Sequence, residues 1–321
     1  MIDGRTPVSS EPVGSVTVVG AGVIGLSVAY ELAVAGHEVR IVADREAVDG
    51  VSGVAAAIWF PHDVDHSPSV LDSAAVTYRR LQELAGNPST GVHMRTGTVL
   101  SRRPDPDLSW TRAVPHTEPV EWAGITGIRC VVPLVETSTY LTWLRAAVLS
   151  LGVDVDWTEV KALADLPPSD AVVVAAGLRS AALLGDDQDC FPIRGQVVRL
   201  ANPGLTEWIT DSDNPDGLTY VVPRRDDVVC GGTGEIGSWD EQIDPDIEAG
   251  ILRRVSALVP ELAGQPVLSR ATGLRPGRAG VRVEAVAGHD RPVYACYGHG
   301  GAGFTLSWGD AARIATLVGP A

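Results

Sequence analysis

Apolar residues follow two rhythms along this chain. Ser15–Val19 is a short run rich in β-branched residues, and Glu38–Ala43 is a second. Between them Val23–Ala35 carries Ile24, Leu26, Val28, Leu32 and Val34, and Gly36 ends the run. The pattern predicts strand, helix and strand in quick succession, a βαβ unit. Ser69–Gly86 and Thr137–Gly152 read as further helices, the second with Leu141, Leu144 and Val148 on one face. Val153–Trp157 and Asp170–Gly177 read as strands, the latter nearly all apolar, as a strand covered on both faces should be. After Arg194 the rhythm changes. "GQVVRL", "GLTYVVP" and "DVVCGGT" alternate between turns and predict an antiparallel sheet. "DIEAGILRRVSALVPEL" predicts a helix, and "RPVYACYGHGGAGFTLSWGDAARIATLV" a strand, a glycine-rich turn and a closing helix that starts near Phe304. The expected fold class is α+β / α/β, with two interlaced domains, one of them assembled from discontinuous pieces.

Composition narrows the function classes. The 321 residues carry a formal net charge of −15, which repels phosphate backbones and argues against a nucleic-acid partner. No apolar run reaches the roughly 18 residues of a membrane span. The opening "MIDGRTPVSSEPVG" lacks the apolar stretch of a signal peptide and reads as a mobile extension. Cys130, Cys190, Cys230 and Cys296 are widely spaced, with no CxxC or HxxxH pair, so no metal site is expected. They read as reduced and mostly packed, in a cytoplasmic protein.

The candidate chemistry begins at Gly20, Gly22 and Gly25. They spell GxGxxG between a predicted strand and helix. The first glycine permits a tight turn, the second lets the backbone approach a pyrophosphate, and the third lets helix and strand pack. The helix N-terminus at Val23 and Ile24 would then face the phosphates. Asp44, at the end of the second strand, stands where a carboxylate accepts ribose hydroxyls. This motif does not separate NAD from FAD. A second cluster, Gly298, Gly300, Gly301 and Gly303, precedes the last helix and fits a cofactor with an extra ring to anchor, the flavin.

In order, "VVGAGVIGLSVAYEL", "VADR", "SGVAAAIWFPH", "RGQVV", "YVVP", "GGT", "TGLRPGR" and "YGHGGAGFTLSWG" resemble the D-amino-acid oxidases, over nearly the whole chain from about residue 15. "GLRP" and "YGHGGAGFTLSWG" are the specific elements, while GxGxxG is shared far more widely. The resemblance implies a Rossmann-like FAD-binding domain interlaced with an antiparallel-sheet substrate-binding domain. The division expected is a flexible extension at 1–13, an FAD-binding domain from 14–76, 138–190 and 265–321, and a substrate domain from 77–137 and 191–264. It implies non-covalent FAD. It implies oxidative deamination of neutral, and of basic, D-amino acids by hydride transfer from Cα to flavin N5. Molecular oxygen is the second substrate, and a 2-oxo acid, ammonia and hydrogen peroxide are the products. Arg275 and Tyr220 would hold the substrate carboxylate, and the Gly301 carbonyl would accept from its amine. The backbone of Gly300, Ala302, Gly303, Phe304 and Thr305 would line the flavin, with Gly301 also among the cofactor-binding residues. Asp44 and Arg45 would hold the adenosine half, Val51 and Ser52 would lie near the pyrophosphate, and Val160 would meet adenine through its backbone.

Three departures from the family pattern bear on specificity. Phe60 replaces a glutamine of mammalian members in the substrate pocket. The loop "DSDNPDGL" is short and lacks a second, lid-forming tyrosine. Gly234 stands where D-aspartate oxidases place a second arginine, which argues against an acidic substrate. His299 reads as structural, Trp59 as either core or substrate wall, and Arg224 and Arg225 as solvated. D-aspartate oxidase, glycine or sarcosine oxidase and a flavin dehydrogenase remain as alternatives, with a silent dinucleotide-binding sensor from a different class. The oligomeric state is open, with a homodimer among the options.

Overall fold

The computed structural model describes residues 14–62, 64–185 and 187–321. The extension expected at 1–13 lies outside them. The strands in chain order are β1 (Ser15–Val19), β2 (Glu38–Ala43), β3 (Val92–Leu100), β4 (Thr117–Trp122) and β5 (Ile125–Val135). They continue with β6 (Asp154–Trp157), β7 (Ala171–Val174), β8 (Phe191–Ala201), β9 (Trp208–Asp211) and β10 (Thr219–Pro223). The last are β11 (Asp227–Gly231), β12 (Glu235–Ile236), β13 (Val267–Gly277), β14 (Arg282–Val286) and β15 (Val293–Tyr297). The helices are α1 (Val23–Val34), α2 (Val51–Val54), α3 (Pro68–Leu84), α4 (Thr137–Ser150), α5 (Arg179–Leu183), α6 (Pro245–Leu258) and α7 (Gly303–Val318).

Six strands form the first sheet in the order β14-β15-β7-β1-β2-β6, all parallel except β14 against β15. β1 is inner, with Val16, Val18 and Val19 buried. β7 is wholly buried, which is why its sequence does not alternate. Against this sheet α1, α7, α3 and α4 build the main core around Leu26, Leu32, Leu81, Leu144 and Leu306. Gly309 permits the closest crossing: a β-carbon there would overlap the Ser73 backbone of α3.

The second sheet has nine strands, β12-β8-β11-β10-β9-β3-β5-β4 with β13 also on β8. It is antiparallel except for β3 beside β9, which run parallel. Their connection runs through α4 and strands β6 and β7 of the first sheet, and a crossover of that kind permits parallel pairing. β13 belongs here: its ladder on β8 runs from Val267↔Leu200 to Gly277↔Phe191. The nine-stranded sheet therefore reaches into the 265–321 piece of the chain.

The topology positions the site. In a mostly parallel sheet the crevice lies beyond the carboxyl ends of the strands. Here those ends release Gly20 after β1, Asp44 after β2, Thr158 after β6, Ala175 after β7 and Gly298 after β15. β13 and β8 of the second sheet face the same crevice with Arg275 and Gly195. No described helix is long and apolar enough to cross a membrane.

Candidate active site

One continuous cavity of about 610 Å³ runs along these strand ends. Two helix N-termini open onto it, α1 after Gly22 and α7 after Ala302. Neither cap residue makes a side-chain hydrogen bond, and neither first turn holds an acidic residue. Both ends therefore keep donor N–H groups and positive dipole ends for an anionic or electron-rich ligand.

At the first of them Gly20 has φ +109°, a conformation natural only to glycine. A β-carbon on Gly25 would overlap the Gly20 carbonyl oxygen and stand 2.8 Å from its carbon. Gly22 has more room, since a β-carbon there meets Ser52 Oγ at 3.3 Å. Ser52 Oγ in turn accepts the Val23 N–H at 3.1 Å. Gly22, Val23, Ile24, Val51 and Ser52 line the cavity, while Gly25 lies behind it in the helix–strand contact.

Farther along, Asp44 Oδ2 accepts from Arg45 Nε at 3.1 Å and Nη2 at 2.8 Å. Arg179 Nη1 reaches the same oxygen at 3.1 Å, and its Nη2 donates to the Val160 carbonyl at 2.9 Å. The Arg45 hydrogen bond, with the Arg179 charge, holds the Asp44 carboxyl below its ordinary value despite partial burial. Arg179 escaped the sequence reading, because nothing in "GLRS" marks it as reaching Asp44.

The residues expected to meet the substrate line the same cavity. Arg275 Nη1 donates to the Thr233 carbonyl at 2.9 Å. Its guanidinium occupies the space above Gly195 that any side chain there would need. Tyr220 packs over Gly231 and Gly232, with Cε1 and Oη at 2.9 and 3.0 Å from a β-carbon on Gly232. Burial raises the Tyr220 phenol above its ordinary value, partly opposed by the Arg275 charge, so Tyr220 stays a hydrogen-bond donor at neutral pH. Gly234 is a neighbour of Arg275, a β-carbon there lying 4.0 Å from Nη1.

Phe60, Gly300, Gly301, Gly303 and Phe304 line it as well. Ala302 and Thr305 do not. Ala302 is fully buried as the α7 cap. Thr305 Oγ1 accepts the Phe60 N–H at 3.1 Å and donates to the Phe60 carbonyl at 2.9 Å, so it fixes the Phe60 backbone. The Phe60 ring meets Trp110 edge-on at 5.3 Å. His62, given no role by the sequence, also lines the cavity, its Cδ2 3.0 Å from where a β-carbon on Gly301 would be.

His299, read from the sequence as structural, lines the cavity and also bonds within the fold. Its Nε2 lies 3.1 Å from Asp310 Oδ2, while Asp310 Oδ1 accepts from Ser73 Oγ at 2.7 Å and Arg313 Nη1 at 2.8 Å. Trp59 is core, 1% exposed and donating Nε1 to the Ala74 carbonyl. The solvated reading of Arg224 is corrected. Its Nη2 crosses to the half-buried Ala55 and Ala56 carbonyls at 2.9 and 3.3 Å, so its side chain is engaged within the fold. Arg225 is exposed. The four cysteines are free, and only Cys190 is not buried.

A cavity of about 610 Å³, two helix ends without side-chain caps and the Asp44 carboxylate paired with Arg45 and Arg179 meet along one crevice. The family described as FAD dependent oxidoreductase matches residues 15–317. The chain belongs to that family. This FAD-dependent oxidoreductase is 41% identical over 317 residues to the D-amino-acid oxidase of Rubrobacter xylanophilus, covering 96% of this chain and 97% of the relative. It is 38% identical over 323 residues to the D-amino-acid oxidase of Streptomyces coelicolor, covering 98% and 99%. Its fold matches a crystal structure of glycine oxidase from Bacillus cereus with a TM-score of 0.79 at 22% identity, over 95% of this chain and 94% of the other.

Proposed function

We propose that this FAD-dependent oxidoreductase is a D-amino-acid oxidase acting on neutral D-amino acids. A D-amino acid, oxygen and water become a 2-oxo acid, ammonia and hydrogen peroxide. The observation that carries the reading is the meeting of Arg275 and Tyr220 with Gly301 in one cavity, in a chain this similar to two D-amino-acid oxidases.

Bound FAD supplies the two-electron oxidation and the reaction with oxygen. The chain's own part is binding and orientation. The N-termini of α1 and α7 hold the non-covalent cofactor, with Asp44, Arg45 and Arg179 at its adenosine end. Arg275 pairs with the substrate carboxylate through its fork of donors. Tyr220 adds a neutral O–H to the same carboxylate. The Gly301 carbonyl accepts from the amine, which fixes the Cα–H direction. Holding the reacting carbon in one orientation supplies much of the rate. Gly234 brings no second cation to the pocket, which supports neutral over acidic side chains. Phe60 supplies an apolar wall and a ring face that a cationic head group can approach.

The test is anaerobic mixing of the purified holoprotein with single D-amino acids while the flavin absorbance is followed. Bleaching by D-methionine or D-phenylalanine, with peroxide on admitting air, is expected. Failure of every D-amino acid to bleach the flavin would overturn the reading. Faster bleaching by glycine or sarcosine than by any of them would do the same.

A further inference from the structure

Away from the flavin cavity, a second cleft of about 230 Å³ opens between β3, the β8–β9 connection and the turn after β10. Arg95, Arg224 and Arg225 line it together with Asn202, Leu205 and Thr206. No aspartate or glutamate lines it. In a chain with net charge −15, three arginines line this one small cleft.

The arginines differ in how they are engaged. Arg224 is committed to the Ala55 and Ala56 carbonyls through Nη2, while its buried Nε has no hydrogen-bond partner among the described residues. Burial holds its guanidinium below the ordinary value, at about 10. Asp227 and Glu136 favour its charge, and Arg199 opposes it. Arg95 and Arg225 have no side-chain hydrogen bond or ion pair with any described residue. Glu207, next to Thr206, is turned to Arg129. Guanidinium groups with free forks on a concave wall match planar or tetrahedral oxyanions. Acidic groups stand nearby as well: Asp226 follows Arg225, and Asp227 and Glu136 act on Arg224, but none of them lines the cleft.

We infer that this cleft is a second ligand site, which takes a small oxyanion, a carboxylate or a phosphate, on Arg95 and Arg225. Its volume of about 230 Å³ suits a small solute. A carboxylate ligand would come from small organic acids such as 2-oxo acids, and a phosphate ligand from free phosphate.

Isothermal titration of the holoprotein with inorganic phosphate and, separately, with pyruvate tests this, against sodium chloride at equal ionic strength. Arg275→Leu is included, so that binding in the flavin cavity is recognised as the part it removes. Saturable binding of at least one probe that survives Arg275→Leu is expected. That binding should weaken at least about tenfold in the Arg95→Gln/Arg225→Gln variant, with FAD absorbance retained. The tighter probe identifies the ligand chemistry. Arg225→Gln alone, at an exposed position, should weaken it at least about threefold and guards against misfolding of the double variant. The proposal is overturned if neither probe saturates, or if binding is the same in wild type and in these variants.

Discussion

A β-carbon on Gly195 would stand 2.7 Å from Cζ of Arg275. The two residues sit on paired strands, with Gly195 opposite Gly273 and Arg275 opposite Ile193. The absence of a side chain on β8 is thus what allows the guanidinium its position. The obstructed atoms are the far end of a flexible side chain, which can move aside. Gly195→Ala should therefore leave the melting temperature and FAD content close to wild type and displace the arginine. A displacement of that order costs roughly 100-fold in rate, read as kcat/KM on D-methionine. Arg275→Leu should lose about 2–5 kcal/mol of substrate binding, again with FAD retained. Near-normal kinetics in both variants would show that the carboxylate anchor is elsewhere.

The second and third glycines of the first motif should fail in different ways. Gly25→Ala drives a β-carbon into the Gly20 backbone, which has no slack. It should cost about 1–3 kcal/mol of stability, the usual penalty of overpacking, in the apoprotein. Gly22→Ala meets only Ser52 Oγ at 3.3 Å, so its apoprotein should melt normally while FAD binds more weakly. Apoprotein melting and FAD titration of both variants separate the two effects. Equal melting temperatures for both would contradict the packing role of Gly25.

Gly234 has space beside Arg275, its nearest neighbours lying 3.8 and 4.0 Å from a β-carbon. Gly234→Arg should therefore fold and present a second guanidinium near the pocket. One charged hydrogen bond is worth about 1.5–3 kcal/mol. The ratio of kcat/KM for D-aspartate over D-methionine should rise roughly 10- to 150-fold. Wild type should prefer D-methionine, since a side-chain carboxylate would lose water there without gaining a partner. A wild-type preference for D-aspartate would mean that another cation faces the pocket.

Asp310 offers a pH test. Burial pushes its carboxyl up, but His299, Ser73 and Arg313 outweigh that and hold it below the ordinary value. A carboxyl depressed in the fold stabilises fully above its unfolded value of about 3.9. That contribution is lost as pH falls through the lower folded value. Asp310→Asn should cost about 3–5 kcal/mol near neutrality, as breaking a buried charged network does. The gap in melting temperature from wild type should shrink below about pH 4. A gap that stays constant from pH 7 to pH 3 would show that the charge of Asp310 contributes nothing.

Sequence reached some parts of this structure and missed others for physical reasons. The βαβ start, β7 and the β15–α7 turn were legible because local pattern and backbone geometry demand those residues. β13 was not. Its "VLSRATGLRPG" mixes charge, glycine and proline, and it is a strand because of its long ladder on β8. Arg224 looked like a turn residue because its partner Ala55 is 169 positions away. Arg179 and His62 are functional candidates only by proximity, Arg179 to Asp44 and Val160 and His62 to Gly301. Gly195 gave no sign either, since its importance lies in what stands across from it.

The strand order also shapes how the chain is made. β15, among the last segments to leave the ribosome, pairs with β7 on one side and β14 on the other. Until it arrives, the all-apolar β7 pairs only with β1 and shows an open edge of backbone donors and acceptors. Such an edge invites pairing between nascent chains. Chains stopped short of Val293 should then be sticky intermediates that added FAD does not rescue, because one of the two helix ends proposed to hold it has not been synthesised.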